Sequence, residues 1–286
     1  MEPACAVLEI SPSTYYAARR REEEPSARDA RDEELKKEIL RVWKEKGRRV
    51  YGARKVWGQL RREGIDVARC TVERLMRELG IAGAAARKKR PRTTVPAPAG
   101  QGRPSDLLER DFTAGAPNRR WVADITYVET LGGFVYAAFI LDLFSRVIVG
   151  WQVADTLRAE LALDALEMAI WSRNDRMDGQ LIHHSDRGVQ YTSIRYTERL
   201  GEISAVRSVG RKGDSYDNAA AESLNSLYKR ELIDREGPWD GVTDVTMATM
   251  EWVAWYNNER LHSTCGNIPP KEFEENYYTR QAALVG

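Results

Sequence analysis

Cysteine and histidine are both scarce in this 286-residue chain, with three of each. Cys5, Cys70 and Cys265 stand far apart without a CxxC pair, which excludes a disulfide framework and a zinc ribbon and leaves reduced thiols as the expectation. No histidine precedes position 183, so the front of the chain carries no His/His/Cys/Cys zinc module. No run approaches the roughly 20 apolar residues of a membrane helix, and no membrane is expected among the partners. The opening MEPACAVLEI has no basic n-region, apolar core or cleavage site, so no secretion signal is expected and the cytoplasm is the predicted location.

Net charge is nearly absent too, at +1, but this balance hides an asymmetry. Residues 1–103 hold 25 Lys/Arg against 15 Asp/Glu, and the remainder 19 against 28. Halves of opposite sign point to a nucleic-acid-binding front and a back that needs carboxylates for another purpose.

Within the front, ISPSTYYAARRR has a helix opening at Ser11 and Pro12, and ACAVLE before it could form a short partner helix. Leu35, Ile39 and Val42 predict a helix over 31–46. Val56 and Leu60 mark another that should stop at Gly64, and Val72, Leu75, Met76 and Leu79 fall at i, i+3, i+4, i+7 on a third that ends at Gly80. The last two make a helix-turn-helix, with Arg69, Arg74 and Arg77 off the apolar stripe and available to phosphates or base edges. Ala68 stands where a polar cap is expected, so that cap is weak or moves to Thr71. Next comes RKKRPRTTVPAPAGQGR, a basic linker whose Arg87, Lys88, Lys89, Arg90 and Arg92 suit a phosphate backbone.

Periodicity then changes. RWVADITYVE (120–129), GFVYAAFILDLF (133–144) and RVIVGWQVA (146–154) read as strands, followed by a helix, the short strand LIHHS, a helix from about Thr192, a strand around ISAVRSV and long helices from Asp217. The order predicts a mixed α/β sheet flanked by helices. The stretch LIHHSDRGVQYTS, residues 181–193, puts two histidines beside an aspartate. It admits a histidine metal site, an acid–base dyad, or an aspartate that works while the histidines hold it.

Two further carboxylates bear on that choice. Asp124 sits inside an apolar strand, which is costly unless it is paired or bound to metal. Glu222 lies on a helix that Asp217 would cap, on a stripe with Asn218, Asn225, Ser226 and Lys229. Two strand-borne aspartates and a helix-borne glutamate can converge on a pair of Mg²⁺ or Mn²⁺ ions, which prefer oxygen ligands and clamp both oxygens of a phosphoryl transfer.

Thirty-five residues separate Asp186 from Glu222. This resembles the D,D-35-E signature of retroviral integrases and of bacterial insertion-sequence transposases of the IS-three group. The likeness to the latter covers nearly the whole chain. YGARKVW with VERLMRELGI resembles its helix-turn-helix, WVADITYV its first-aspartate strand, and LDLFSRVIVGW the next two strands. HHSDRGVQYTS is similar to its second-aspartate motif, SVGRKGDSYDNAAAESLNSLYKRE to its glutamate motif, and WYNNERLHSTCGNIPPKEF to its C-terminal motif, apart from CGNIPP, where Cys265 and Asn267 depart from the usual apolar–Gly–aromatic run.

The resemblance implies an RNase H-like core with Asp124, Asp186 and Glu222 as catalytic and metal-binding residues for two Mg²⁺ ions, Mn²⁺ substituting. It implies cleavage at transposon ends and transfer of the freed 3′-hydroxyl into target DNA. Lys229 would contact a DNA phosphate, His184 would orient Asp186 or touch DNA, His183 would pack, Asn218 would support the site and Asp142 would be structural. Arg187, Tyr191, Asn257, Arg260 and His262 match motif positions without an assignable role. The expected partners are double-stranded DNA, a second copy of the chain, and an upstream-frame protein or fusion, on the bacterial nucleoid. The expected domains are a helical segment (1–30), a helix-turn-helix domain (31–83), a linker (84–110), the catalytic domain (111–275) and a tail (276–286). The competing readings are a DNA-binding regulator with an inactive core and a metal-dependent nuclease that does not join.

Overall fold

The computed structural model describes Ser11, Ser13, Tyr16 and residues 26–84, 113–186, 188–209 and 218–285. The opening at Pro12, the segment ACAVLE, the cap at Asp217, Arg187 and the basic residues Arg87, Lys88, Lys89, Arg90 and Arg92 lie outside the described residues. Contacts divide the chain into two compact units, Met1–Ala84 and Ala85–Gly286.

The first unit contains α1 (Ala27–Arg41), a π turn (Val42–Lys46), α2 (Ala53–Arg62) and α3 (Arg69–Glu78). Helix α1 begins before the predicted residue 31 because Ser26 and Asp29 form a reciprocal capping box. That start is hidden from periodicity by the charged run after it. Leu35, Ile39 and Val42 are buried together with Val56 and Leu60 of α2 and Val72, Leu75 and Met76 of α3, where these elements pack on one another. Gly64, at φ 81°, closes α2 as predicted, and Ala68 gives α3 no side-chain cap. Arg74 forks onto both oxygens of Asp32 at 2.9 and 2.8 Å and also bonds Glu78 at 2.7 Å. Its charge is therefore committed to joining α3 to α1.

The second unit is built on a five-stranded sheet: β1 (Arg120–Thr130), β2 (Gly133–Asp142), β3 (Ile148–Ala154), β4 (Ile182–Ser185) and β5 (Val206–Val209), in the order β3-β2-β1-β4-β5. The first three form an antiparallel meander; β4 runs parallel to β1 on its other side, and β5 parallel to β4. Helix α4 (Ala159–Arg173) packs on β3, with Gly150 making the approach possible: a Cβ there would lie 2.1 Å from the Ala165 carbonyl oxygen. Trp121, Ala138, Ile140, Leu166, Ile170 and Leu200 fill the core on this side, the last from α5 (Ile194–Glu202).

Opposite lie α6 (Ala219–Tyr228), which continues through a π turn (Lys229–Ile233), and α7 (Val242–Asn258). Phe139 of β2 meets Tyr228 edge-on at 4.9 Å, and Trp252 closes the group at 5.3 Å from Tyr228. The predicted tail is instead the end of α8, a single helix over Pro270–Val285. Phe273 and Tyr277, one turn apart, hold it against Phe144, while Glu274 pairs with buried Arg173. The polar sequence around these anchors concealed the helix.

Asp142 is fully buried at the end of β2 and is structural. Its carboxylate accepts from the N–H groups of Asn118 (2.7 Å), Phe144 (3.0 Å) and Ser145 (2.8 Å) and from the Ser145 hydroxyl (3.0 Å). It thus folds the β2–β3 turn, where Arg146 adopts a positive φ of 62°. Cys265, in the departing loop, packs beneath this turn with its thiol 3.3 Å from the Ser145 carbonyl oxygen. Asp142→Ala should lower stability by about 3 kcal/mol, because it strands several buried donors together. Urea unfolding of the purified chain measures this; a loss under about 1 kcal/mol would remove the turn from the fold's essential contacts.

Candidate active site

Strand β4 is short, and its pairing with β1 runs only from Arg120↔Ile182 to Ala123↔Ser185. Asp124 and Asp186 are the next residues on each chain, so they stand side by side where β4 stops. From Asp124 onward β1 keeps β2 on one edge, and Asp124 itself pairs with Phe139, whose ring faces α6. Helix α6 covers the edge that β4 leaves: Asn218 Nδ2 donates to the Ala123 carbonyl oxygen at 3.1 Å, and Asn225 Nδ2 donates to Asp124 Oδ2 at 2.9 Å. The other carboxylate oxygen of Asp124 accepts the Ile125 N–H at 2.9 Å. Glu222, exposed, lies in the first turn of α6, nearer its start than predicted.

The electrostatics follow from this crowding. Burial pushes the Asp124 carboxyl up to about 8, the field of Asp186 adds to it, and Glu222 contributes further. The Ile125 N–H and the Asn225 amide oppose the rise. Burial also raises Asp186, against which the Gly188 N–H, 2.9 Å from Oδ1, acts. Converging negative charge with this little compensation calls for a cation. The polar atoms around it are oxygens: Asn218 Oδ1 and Asn225 Oδ1 are buried without a partner among the described residues. Such a donor set fits Mg²⁺ or Mn²⁺ by its chemistry. As arranged, no three His, Cys, Asp or Glu side chains among the described residues stand close enough to hold an ion.

Other predicted residues fall as follows. His183 packs, its Nε2 3.0 Å from the Tyr196 hydroxyl, and burial drives it down to about 3. His184 is fully buried with Nδ1 2.8 Å from the Ser208 hydroxyl of β5, which removes it from contact with DNA. Asn218 occupies the cap position of α6 but makes no cap bond, serving the β1 edge instead. Lys229 places its ammonium 4.1 Å from the centre of the Tyr127 ring, a cation–π contact beside the site. Arg69 and Arg77 are exposed on α3. Arg260 forks onto buried Glu231, and Asn257 bonds both the N–H and the carbonyl of Ile148 on β3, so both serve the fold. The direct partner of Asp124, Asn225, was visible only as one member of a polar stripe; its offset of three from Glu222 was the available signal.

The integrase core domain family matches residues 114–215 and, in a second form, residues 206–270. The HTH-like domain family matches residues 30–90. The chain is thus an integrase-core protein joined to an HTH-like domain. It is 53% identical over 285 residues to the protein assigned as the transposase of insertion sequence element IS986/IS6110 in Mycobacterium tuberculosis (strain ATCC 25618 / H37Rv), covering 98% of this chain and 100% of that one. It is 50% identical over 279 residues to the transposase for insertion sequence element IS629 of Shigella sonnei, covering 96% and 92%. Among solved structures, the HTLV-2 integrase catalytic core domain in complex with magnesium aligns with 56% of this chain and 98% of its own, at a TM-score of 0.45 and 15% identity. The chain belongs to the insertion-sequence transposases of the IS3-family/IS6110 type and is a DNA transposase.

The raised Asp124 carboxyl sets a pH dependence. Between an unfolded value of about 4 and a folded value of about 8, the folded chain keeps a proton that the unfolded chain has released, so stability falls as pH rises through that window. In EDTA, the melting temperature should fall between about pH 5 and about pH 8. Asp124→Asn should flatten that slope. An unchanged slope in the variant would show that Asp124 carries no buried charge strain.

Proposed function

We propose that this transposase cleaves DNA at transposon ends and joins the freed 3′-hydroxyl to target DNA, with Asp124, Asp186 and Glu222 as its catalytic carboxylates. The observation that carries the reading is the Ala123↔Ser185 pairing, after which the two aspartates meet at the end of β4, Asp124 also within the field of Glu222. Asp124 and Asp186 would hold one Mg²⁺ and Asp124 with Glu222 a second, Mn²⁺ substituting. When bound, such ions acidify a water or hydroxyl nucleophile and stabilise both the attacking and the leaving oxygens.

The chain's own residues prepare that site. The Asn225 amide and the Ile125 N–H fix both oxygens of Asp124, and the Gly188 N–H fixes one oxygen of Asp186. Asn218 ties the start of α6 to β1, so Glu222 is carried by a helix anchored to the strand that bears Asp124. Lys229 offers a positive charge to a DNA phosphate from the same helix face. Arg69 and Arg77 on α3, with Arg87, Lys88, Lys89, Arg90 and Arg92, supply phosphate contacts whose strength falls with salt. Arg74 leaves this set because it forks onto Asp32 across to α1, whereas the Arg69 pair with Glu73, at 3.1 Å, stays within α3. Pairing two transposon ends requires at least two copies of the chain, acting on the nucleoid in the cytoplasm. An upstream-frame partner or fusion would add to end recognition.

The test uses a supercoiled plasmid carrying the gene with its native flanks and any upstream reading frame, treated with wild type or Asp186→Asn, in Mg²⁺ or EDTA. Nicked 3′ ends and joined products should be present only for wild type in Mg²⁺. Joined products from the variant would sink the assignment, and ends that are cut but never joined would favour a nuclease.

A separate prediction concerns the first unit. Arg77→Ala should reduce the salt slope of DNA binding by about 1, as loss of one phosphate contact requires. Arg74→Ala should instead lower the melting temperature and leave that slope near wild type. Equal slope changes in the two variants would return Arg74 to the DNA surface.

A further inference from the structure

Tyr191 is a buried phenol whose hydroxyl has no hydrogen-bond partner among the described residues. Its surroundings hold it in place without using that hydroxyl. The ring meets Tyr196 edge-on at 5.5 Å, and the Tyr191 N–H donates to the Gly188 carbonyl at 3.2 Å. Tyr196 is fixed in turn through its hydroxyl, 3.0 Å from His183 Nε2. A tyrosine serving only to fill space would be better replaced by phenylalanine, because an unmade buried hydrogen bond opposes folding.

Gly188 shows what lies beside the ring. A Cβ on that glycine would sit 2.9 Å from Asp186 Oδ1, 3.0 Å from Gln190 Oε1 and 3.5 Å from Tyr191 Cδ2, so the carboxylate, the Gln190 amide and the ring flank one small space. Any larger residue at 188 would part them. Burial, the neighbouring Tyr196 and the fields of Asp124 and Asp186 all keep the proton on the phenol. It is therefore a donor, within electrostatic reach of Asp124 and Asp186.

We propose that Tyr191 is a positioning residue whose phenol donates a hydrogen bond to the Asp186 carboxylate in the metal-loaded site. This inference rests on the carboxylate site proposed above and adds a member to it. The Gly188 N–H already occupies Oδ1, and the phenol supplies a second donor that fixes the plane of the carboxylate. Donors of this kind outside the ligand shell orient ligating carboxylates, and their loss typically weakens metal binding or activity by about 10- to 100-fold.

The test compares the full chain as wild type, Tyr191→Phe and Asp186→Asn, using Mn²⁺ as the probe. Electron paramagnetic resonance follows Mn²⁺ binding without DNA, thermal unfolding is recorded in EDTA, and strand cleavage is assayed separately. Tyr191→Phe should weaken Mn²⁺ binding and slow cleavage by about tenfold each, while melting at or above the wild-type temperature. Unchanged Mn²⁺ binding would overturn the assignment. So would a clear fall in melting temperature, since it would reveal a structural partner for the hydroxyl. If Mn²⁺ binding survives Asp186→Asn, the carboxylate site itself fails. If Asp186→Asn abolishes binding while Tyr191→Phe leaves it intact, the role of Tyr191 alone fails.

Discussion

The site depends on where one strand stops. Strand β4 pairs with β1 over four residues and ends at Ser185, so the far half of β1 loses its parallel neighbour at Asp124. Backbone groups on a sheet edge need partners, and here α6 provides them with side chains. Asn218 takes the Ala123 carbonyl, and the Asp124 carboxylate turns back to its own neighbour's N–H. A longer β4 would continue the ladder and leave α6 no edge to cover. The termination that opens the sheet thus also brings an aspartate from each strand and a glutamate-bearing helix to one place.

Buried charge is handled in two ways in the second unit. Arg173 with Glu274, and Arg260 with Glu231, are forked pairs that neutralise each other inside the fold. Asp142 is held instead by four hydrogen-bond donors around its carboxylate. Around Asp124 the accounting differs. Like charges converge, and the oxygens of Asn218, Asn225 and Tyr191 are left without partners among the described residues. Interiors satisfy most buried polar groups, so carboxylates that repel one another beside unpartnered amide oxygens mark a place where stability is given up for function.

The sheet was largely legible because its signals are local. The residue pattern predicted the first three strands, and a charge inside RWVADITYVE singled out Asp124. What was not legible depends on which surfaces meet. Arg74 lies off the apolar stripe of α3, as DNA-facing arginines do, and only the fold reveals Asp32 opposite it. His184 beside Asp186 reads as a site residue, yet the short strand carries it under the sheet to Ser208. The stripe on α6 could have faced solvent; that Asn225 faces Asp124 follows from the edge left by β4. Helix α8 escaped because two aromatic contacts to Phe144, rather than a periodic apolar face, anchor it.

A consequence concerns how the glutamate is supported. Glu222 sits in the first turn of α6, where helix ends are least constrained by their own hydrogen bonds. Two asparagines compensate from either side of it, Asn218 before and Asn225 after, both reaching β1. Beyond them the helix passes into a π turn beginning at Lys229, and Glu231 within that turn is clamped by Arg260 from beyond α7. The π turn begins at Lys229, whose ammonium lies over the Tyr127 ring, and Leu232 within it returns to the core. The glutamate-bearing segment is therefore tied to the strand at its start and to the C-terminal helices at its end. The glutamate is thus carried by a backbone anchored on both sides of it.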